Sequence, residues 1–309
     1  MRRYSRRWRF LALLVALIYV ICFALEKQEP GKIEAVTRIP QKPQYVNPTY
    51  RNVRTLIMVP GHGVLKSLSA SDWKNQSNWS FEKHQLRDGV VLPFCFASHI
   101  RRALVLLKKQ LNSSIIIFSG GQTSASAGPR SEALSYYILA EETNLFGLFN
   151  SAAQVRSVLE NHVFTEEFAR DSFENLLFSI ARFYEVTRHF PDSIIVVGWK
   201  HKRERFVKYH REALRYPAEK FSYIGLDFED AAPFVRDVEP YRLALPYSDA
   251  KALSFVNKDI YLCNAGKLTK DKRNPHFRVA PYEASCPSLL PLLQYCGPHL
   301  IDKSRVPWG

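Results

Sequence analysis

Apolar residues gather in short continuous runs that end in or near glycine or proline, and these runs alternate with longer stretches in which they recur every three or four positions. The runs are 54–59, 115–118, 194–197 and 221–226. Apolar at nearly every position and rich in β-branched residues, they predict strands buried on both faces of a parallel sheet. Helical spacing predicts helices over 92–111, from Pro129 onward, along the stripe Phe173, Leu176, Leu177, Ile180, Phe183, Tyr184 and Thr187, and over 202–215. Strands alternating with helices predict an α/β fold, a Rossmann-like parallel sheet with helices on both faces. Two of the strands empty into Gly61-His62-Gly63 and Ser119-Gly120-Gly121, and corners of this kind border the ligand crevice of such sheets.

The N-terminus follows a different pattern. Five arginines within residues 1–9 precede an uncharged apolar run at 10–25, closed by Glu26, Lys27 and Glu29. A helix there covers about 24 Å, slightly short of a hydrocarbon core. The expectation is a transmembrane anchor with a basic cytosolic tail, which makes the chain a single-pass type II membrane protein with its body in the ER/Golgi lumen or outside the cell. A cleaved signal peptide is the alternative. A proline-spaced linker follows at 26–52, then the Rossmann-like domain at 53–232 and an irregular extension at 233–309, with the basic run Lys267, Lys270, Lys272, Arg273, expected to pack on it.

With 309 residues and 46% hydrophobic composition, the chain is long enough for one large core. Its net charge of +14 comes without a zinc-finger, helix-turn-helix or RNA-binding pattern. The charge therefore favours the membrane surface and phosphate-bearing partners, not nucleic acid. Three sequons, at Asn75, Asn78 and Asn112, and four cysteines after the apolar run agree with a lumenal body. Cys286 with Cys296 and Cys95 with Cys263 are one candidate pairing among three, and buried free thiols are the other expectation.

Four segments should meet at the crevice: the two glycine corners, the second with Ser131-Glu132, the helix start Asp171-Ser172-Phe173-Glu174-Asn175, and the basic corner Trp199-Lys200-His201-Lys202-Arg203-Glu204-Arg205. Their order and spacing resemble the SanA, YdcF and ElyC proteins, the domain of unknown function 218, of which this chain looks like a eukaryotic, fungal member. Ser172 stands where that family usually has threonine, and its His-x-x-Arg element is altered here, with Arg205 the candidate heir. The resemblance implies a Rossmann-like fold, frequent membrane anchoring, links to envelope or lipid-carrier metabolism, and S-adenosylmethionine or a nucleotide as a bound cofactor.

Each element has a functional and a structural reading. Gly61, Gly63, Ser119, Gly120 and Gly121 can offer amides to an anion or simply turn the chain. His62 suits acid–base work or phosphate binding. Glu132 is a ligand carboxylate, or a favourable charge at a helix start. Asp171 fits a helix cap, while Glu174 and Asn175 suit a hydroxylated or cationic ligand group. Lys202 and Arg205 clamp phosphate, or form a solvated face. The expected catalytic residues are thus His62, Glu174 and His201. The expected ligand-binding residues are Gly61, Gly63, Ser119, Gly120, Gly121, Glu132, Asn175, Lys202 and Arg205, with no metal ligand. The leading expectation is a site for a phosphorylated small molecule or lipid-linked substrate. The alternatives are a non-catalytic S-adenosylmethionine or nucleotide module, and a type II glycosyltransferase using Asp227 and Glu229 to hold a divalent ion.

Overall fold

Strand β1 (Thr55–Pro60) is buried at all six positions because it lies between two parallel neighbours, with Ile57 opposite Ile116 on one side and Ile195 on the other. A computed structural model describes residues 50–66, 72–88, 91–234 and 249–309. A two-stranded hairpin, β2 (Val64–Leu65) with β3 (Trp79–Ser80), follows β1. The main sheet then adds β4 (Ser114–Ser119), β5 (Val163–Glu166), β6 (Ser193–Trp199) and β7 (Phe221–Leu226). All its pairings are parallel and its order is β5-β4-β1-β6-β7. The chain moves outward from β1 through β4 to β5, then returns to the other side at β6. That reversal puts a topological switch point between the C-terminal ends of β1 and β6.

Alternation along each strand divides the interior into two cores. Ile57, Val59, Ile116, Phe118 and Val197 face α1 (Leu92–Lys109), α2 (Glu132–Glu142) and α3 (Ala152–His162). Leu56, Met58, Ile115, Ile117, Ile194 and Val196 face α4 (Ser172–Thr187), together with Phe206, Ala213 and Tyr216. The α/β reading and its strands therefore stand. The pattern did not show α3 and β5: only Val158 and Leu159 of α3 are buried, and β5 has four residues with half-buried middle positions.

The basic stretch expected as a helix over 202–215 is helical, its type varying along it: a 3-10 turn at Lys200–Lys202, a π-helix at Arg205–His210 and a short α5 (Arg211–Ala213). π-Helical turns are rare and concentrate at functional sites. The suggested cysteine pairing is replaced by Cys263–Cys296, with Cys95 and Cys286 buried as free thiols. Cys95 belongs to the core on the α1 side and Cys263 packs against the other core, so the sheet stands between them.

The residues after 249 form α6 (Ala250–Val256), α7 (Lys267–Lys272), α8 (Tyr282–Ser285) and α9 (Leu290–Leu293). Tyr261, Tyr282, Leu289, Leu292 and Ile301 from this part fill the core over α4. The expected anchor at 10–25, the tail before it and the linker up to residue 49 lie outside the described residues. Among the described residues no helix is long and apolar enough to cross a membrane.

Candidate functional site

A cavity of about 830 Å³ opens at the switch point. His62, just past β1, is fixed through its backbone: Gln85 donates its side-chain N–H to the His62 carbonyl at 2.6 Å. The imidazole is buried against Phe96, His99 and Trp199. Across the switch point, the turn after β6 delivers Lys202, whose Nζ lies 3.1 Å from His62 Nδ1. Burial and the charges of Lys202, His99, His201 and Arg205 hold the His62 pKa well below the ordinary range. His62 is therefore neutral near pH 7. An ammonium facing Nδ1 assigns the ring proton to Nε2, a buried nitrogen without a hydrogen-bond partner. Burial likewise pushes His99 down to about 3.

Lys202 is the most perturbed cation. Burial, then the neighbouring charges of Arg205 and Arg273, lower it to about 7 against the opposing pull of Asp249 and Glu132. Among the described residues no carboxylate forms an ion pair with it. Arg205, at the start of the π-helix, bonds Asp249 at 2.7 Å, and among the described residues its own Nε and Asp249 Oδ2 are buried without partners. Arg273, from the end of α7, donates to Glu82 through Nε at 2.8 Å and through Nη2, and to the Arg170 carbonyl at 3.2 Å. His201 also lines the cavity, its ring tilted over Trp199.

Three of the amides in the glycine corners are taken up by backbone carbonyls. Gly61 N donates to the Ser119 carbonyl, Gly120 N to that of Glu166 and Gly121 N to that of Ala169, at 2.7, 3.0 and 2.7 Å. Those amides are spent on backbone bonds. The glycines are needed because Glu132 packs across them: a Cβ on Gly61 would stand 2.4 Å from Glu132 Cβ, and one on Gly120 2.6 Å from its Oε2. Ser131 caps α2, and Glu132 in its first turn accepts from Thr123 at 2.7 Å. Burial raises the Glu132 pKa.

The structure brings Gly61, His62, Gly63, Glu132 and Asn175 to the cavity wall with His201, Lys202 and Arg205. Ser119, Gly120, Gly121 and Glu174 stand one layer behind it. The Ser119 hydroxyl sits 2.7 Å from Glu166 and 2.9 Å from Asn175 Oδ1. The Glu174 carboxylate is held by Arg170 at 2.6 Å and Lys270 at 3.2 Å, which outweigh burial and lower its pKa. Asp171 caps α4, accepting from Glu174 N at 2.8 Å. Asp227 and Glu229, the carboxylates of the glycosyltransferase reading, are not among the residues lining this cavity, and the Asp227 carboxylate accepts from the Phe228 amide at 3.0 Å.

Sequence reasoning did not single out Glu82, Gln85, Asp249 and Arg273 on the wall, or Glu166 behind it. Burial pushes Glu166 up to about 7, although Ser119, Tyr282 and two amides bond its carboxylate. The basic run ending in Arg273 was visible, but its contact with Glu82 spans 191 residues.

The fold and the cavity define an α/β protein of Rossmann-like topology with a basic cleft at its switch point. The chain is 33% identical over 262 residues to the Uncharacterized protein YOR238W of Saccharomyces cerevisiae, covering 74% of this chain and 86% of that protein, and it belongs to the same fungal family. No family model matches the chain, and no solved structure matches it significantly.

Proposed function

We propose that the cavity binds a phosphorylated small molecule, a nucleotide or a lipid-linked phosphate, with its phosphate on Lys202. The observation that carries this reading is a half-buried ammonium that, among the described residues, has no carboxylate ion-paired to it at the switch point, beside a neutral histidine whose buried Nε2–H finds no partner among them either. Withdrawing a cation from water is costly unless an anion joins it, and a phosphate supplies that charge together with an acceptor for the His62 donor. Arg205 and Arg273 add positive charge close enough to depress Lys202, while their carboxylate partners set their orientation. His62 and Glu132 are the wall groups suited to pass a proton to or from the ligand.

Kinship with the SanA, YdcF and ElyC proteins belongs to this proposal. It rests on the order of the glycine corners, the Ser131-Glu132 and Glu174-Asn175 elements and the basic corner, all of which lie at or directly behind the cavity. A type II anchor at 10–25 and a lumenal body are proposed on the arginine-flanked apolar run.

The test is thermal denaturation of the full-length protein with inorganic phosphate, pyrophosphate, nucleotides, polyprenyl phosphates and S-adenosylmethionine. A phosphate compound at a hundred times its Kd stabilises by about 2.7 kcal/mol, a rise of roughly 5 °C or more. Lys202→Met should abolish that rise. Stabilisation by S-adenosylmethionine alone, or a rise that survives Lys202→Met, overturns the proposal.

A further inference from the structure

The cavity has two chemically different walls, drawn from different parts of the chain. Lys202, Arg205 and Arg273, all after β6, bring cations to it, as does Arg170 just before α4. The wall built by β3, the 122–131 loop and the start of α2 presents hydroxyls and a carboxylate instead: Ser80, Thr123, Ser124 and Glu132. Ser80 Oγ lies 2.7 Å from Ser124 Oγ and 2.9 Å from Ser126 Oγ, and the last two are 3.1 Å apart. Three hydroxyl protons suffice to close the three sides of this triangle. Each oxygen then keeps a lone pair, and any of the three can turn its proton outward at the expense of one side, so the trio can accept from or donate to a ligand hydroxyl. Glu132 extends it, because Thr123 occupies only Oε1 while Oε2 stands over the α-carbons of Gly61 and Gly120.

An ionised Glu132 carboxylate only accepts and repels an anion, which disfavours a second phosphate on this wall. An apolar chain laid on it would strip water from acceptors and return nothing. Ligand hydroxyls, which donate, are its complement. The volume exceeds what a phosphate alone requires, and Trp199 and Phe81 supply aromatic surface for the carbon face of a ring. We infer that the ligand is a phosphate ester of a sugar, its phosphate on the Lys202 side and its hydroxyls on Ser80, Ser124 and Glu132. The inference rests on the phosphate-binding reading above. The ribose of a nucleotide and the sugar of a lipid-linked sugar phosphate both satisfy it.

Calorimetric titration of the full-length protein with inorganic phosphate, butyl phosphate and three sugar phosphates (glucose 1-phosphate, glucose 6-phosphate, ribose 5-phosphate) tests it. At least one sugar phosphate should bind ten-fold or more tightly than butyl phosphate, since sites built to bond hydroxyls discriminate strongly against analogues lacking them. Paired Ser80→Ala and Ser124→Ala substitutions should reduce that ratio to below three-fold. Thr123→Val, which disturbs only the seat of Glu132, should lower it too if the paired variant fails to fold. Butyl phosphate binding as tightly as every sugar phosphate overturns the inference and leaves the phosphate site standing. Failure of all five compounds to bind overturns the phosphate reading itself and this inference with it.

Discussion

Lys202 ties ligand binding to pH. With its pKa at about 7 in the free protein, the ammonium is half-formed at neutrality, and a bound anion favours the charged form. Binding therefore takes up protons, about half a proton per site at pH 7, and affinity for an anion of fixed charge falls as pH rises above 7. Sulfate, which does not titrate in this range, is the suitable probe: its affinity should drop about five-fold between pH 7 and 8. Lys202→Arg should retain binding with a flat profile, because the guanidinium stays charged throughout. A sloping profile in that variant would assign the titration to another group. Gly61 makes a second residue-scale prediction. An alanine methyl there would stand 2.4 Å from Glu132 Cβ, so Gly61→Ala should cost about 1–3 kcal/mol in urea denaturation and displace Glu132 from the wall. The glycine itself was legible in the sequence. Its reason was not, since the close neighbour lies 71 positions along the chain and no local pattern announces it.

Among the elements, legibility follows burial. β1 and β4 are buried at every position and their apolar runs show it, as does the buried stripe of α4. β5 and α3 are half-exposed and left no such signature. The corner after β6 was legible as basic and helical but not as a π-turn, which depends on backbone hydrogen-bonding and not on residue type. α7 was read only as a basic run, yet it carries the cation that neutralises the start of α4. Lys270, nearly buried, lies 3.3 Å from Asp171 and 3.2 Å from Glu174. Removing one partner of a buried cluster leaves charge uncompensated, so Lys270→Met should destabilise the protein by about 3 kcal/mol. Chemical denaturation measures the loss. A change under ~0.5 kcal/mol would mean that Arg170 alone suffices to hold Glu174.

For the whole molecule, the part of the chain that looked like an appendage is structural and carries part of the site. Tyr282, Leu289, Leu292 and Ile301 fill the core over α4, and the same segment supplies Lys270 and Arg273. Its composition, rich in proline and without long periodic stretches, concealed this, because three of its short helices, α6, α8 and α9, bury one residue each and α7 buries none. The cysteine pairing was hidden for a related reason: Cys263 and Cys296 are 33 residues apart, and only the folded segment brings their α-carbons to 5.8 Å. The closed loop contains Gly266, Thr269, Lys272 and Arg273 of the cavity wall. Cross-linking a loop of this length restricts the unfolded chain, worth about 2–4 kcal/mol. Paired Cys263→Ser and Cys296→Ser substitutions should lower stability by that amount. Because Arg273 is held from within the loop, they should weaken anion binding as well, while the buried thiols of Cys95 and Cys286 stay unreactive in the native protein. Denaturation and sulfate titration, each with and without reductant, separate the two effects. Weakened binding at undiminished stability would place the disulfide's influence in the site, and a stability loss with full binding would confine it to the fold.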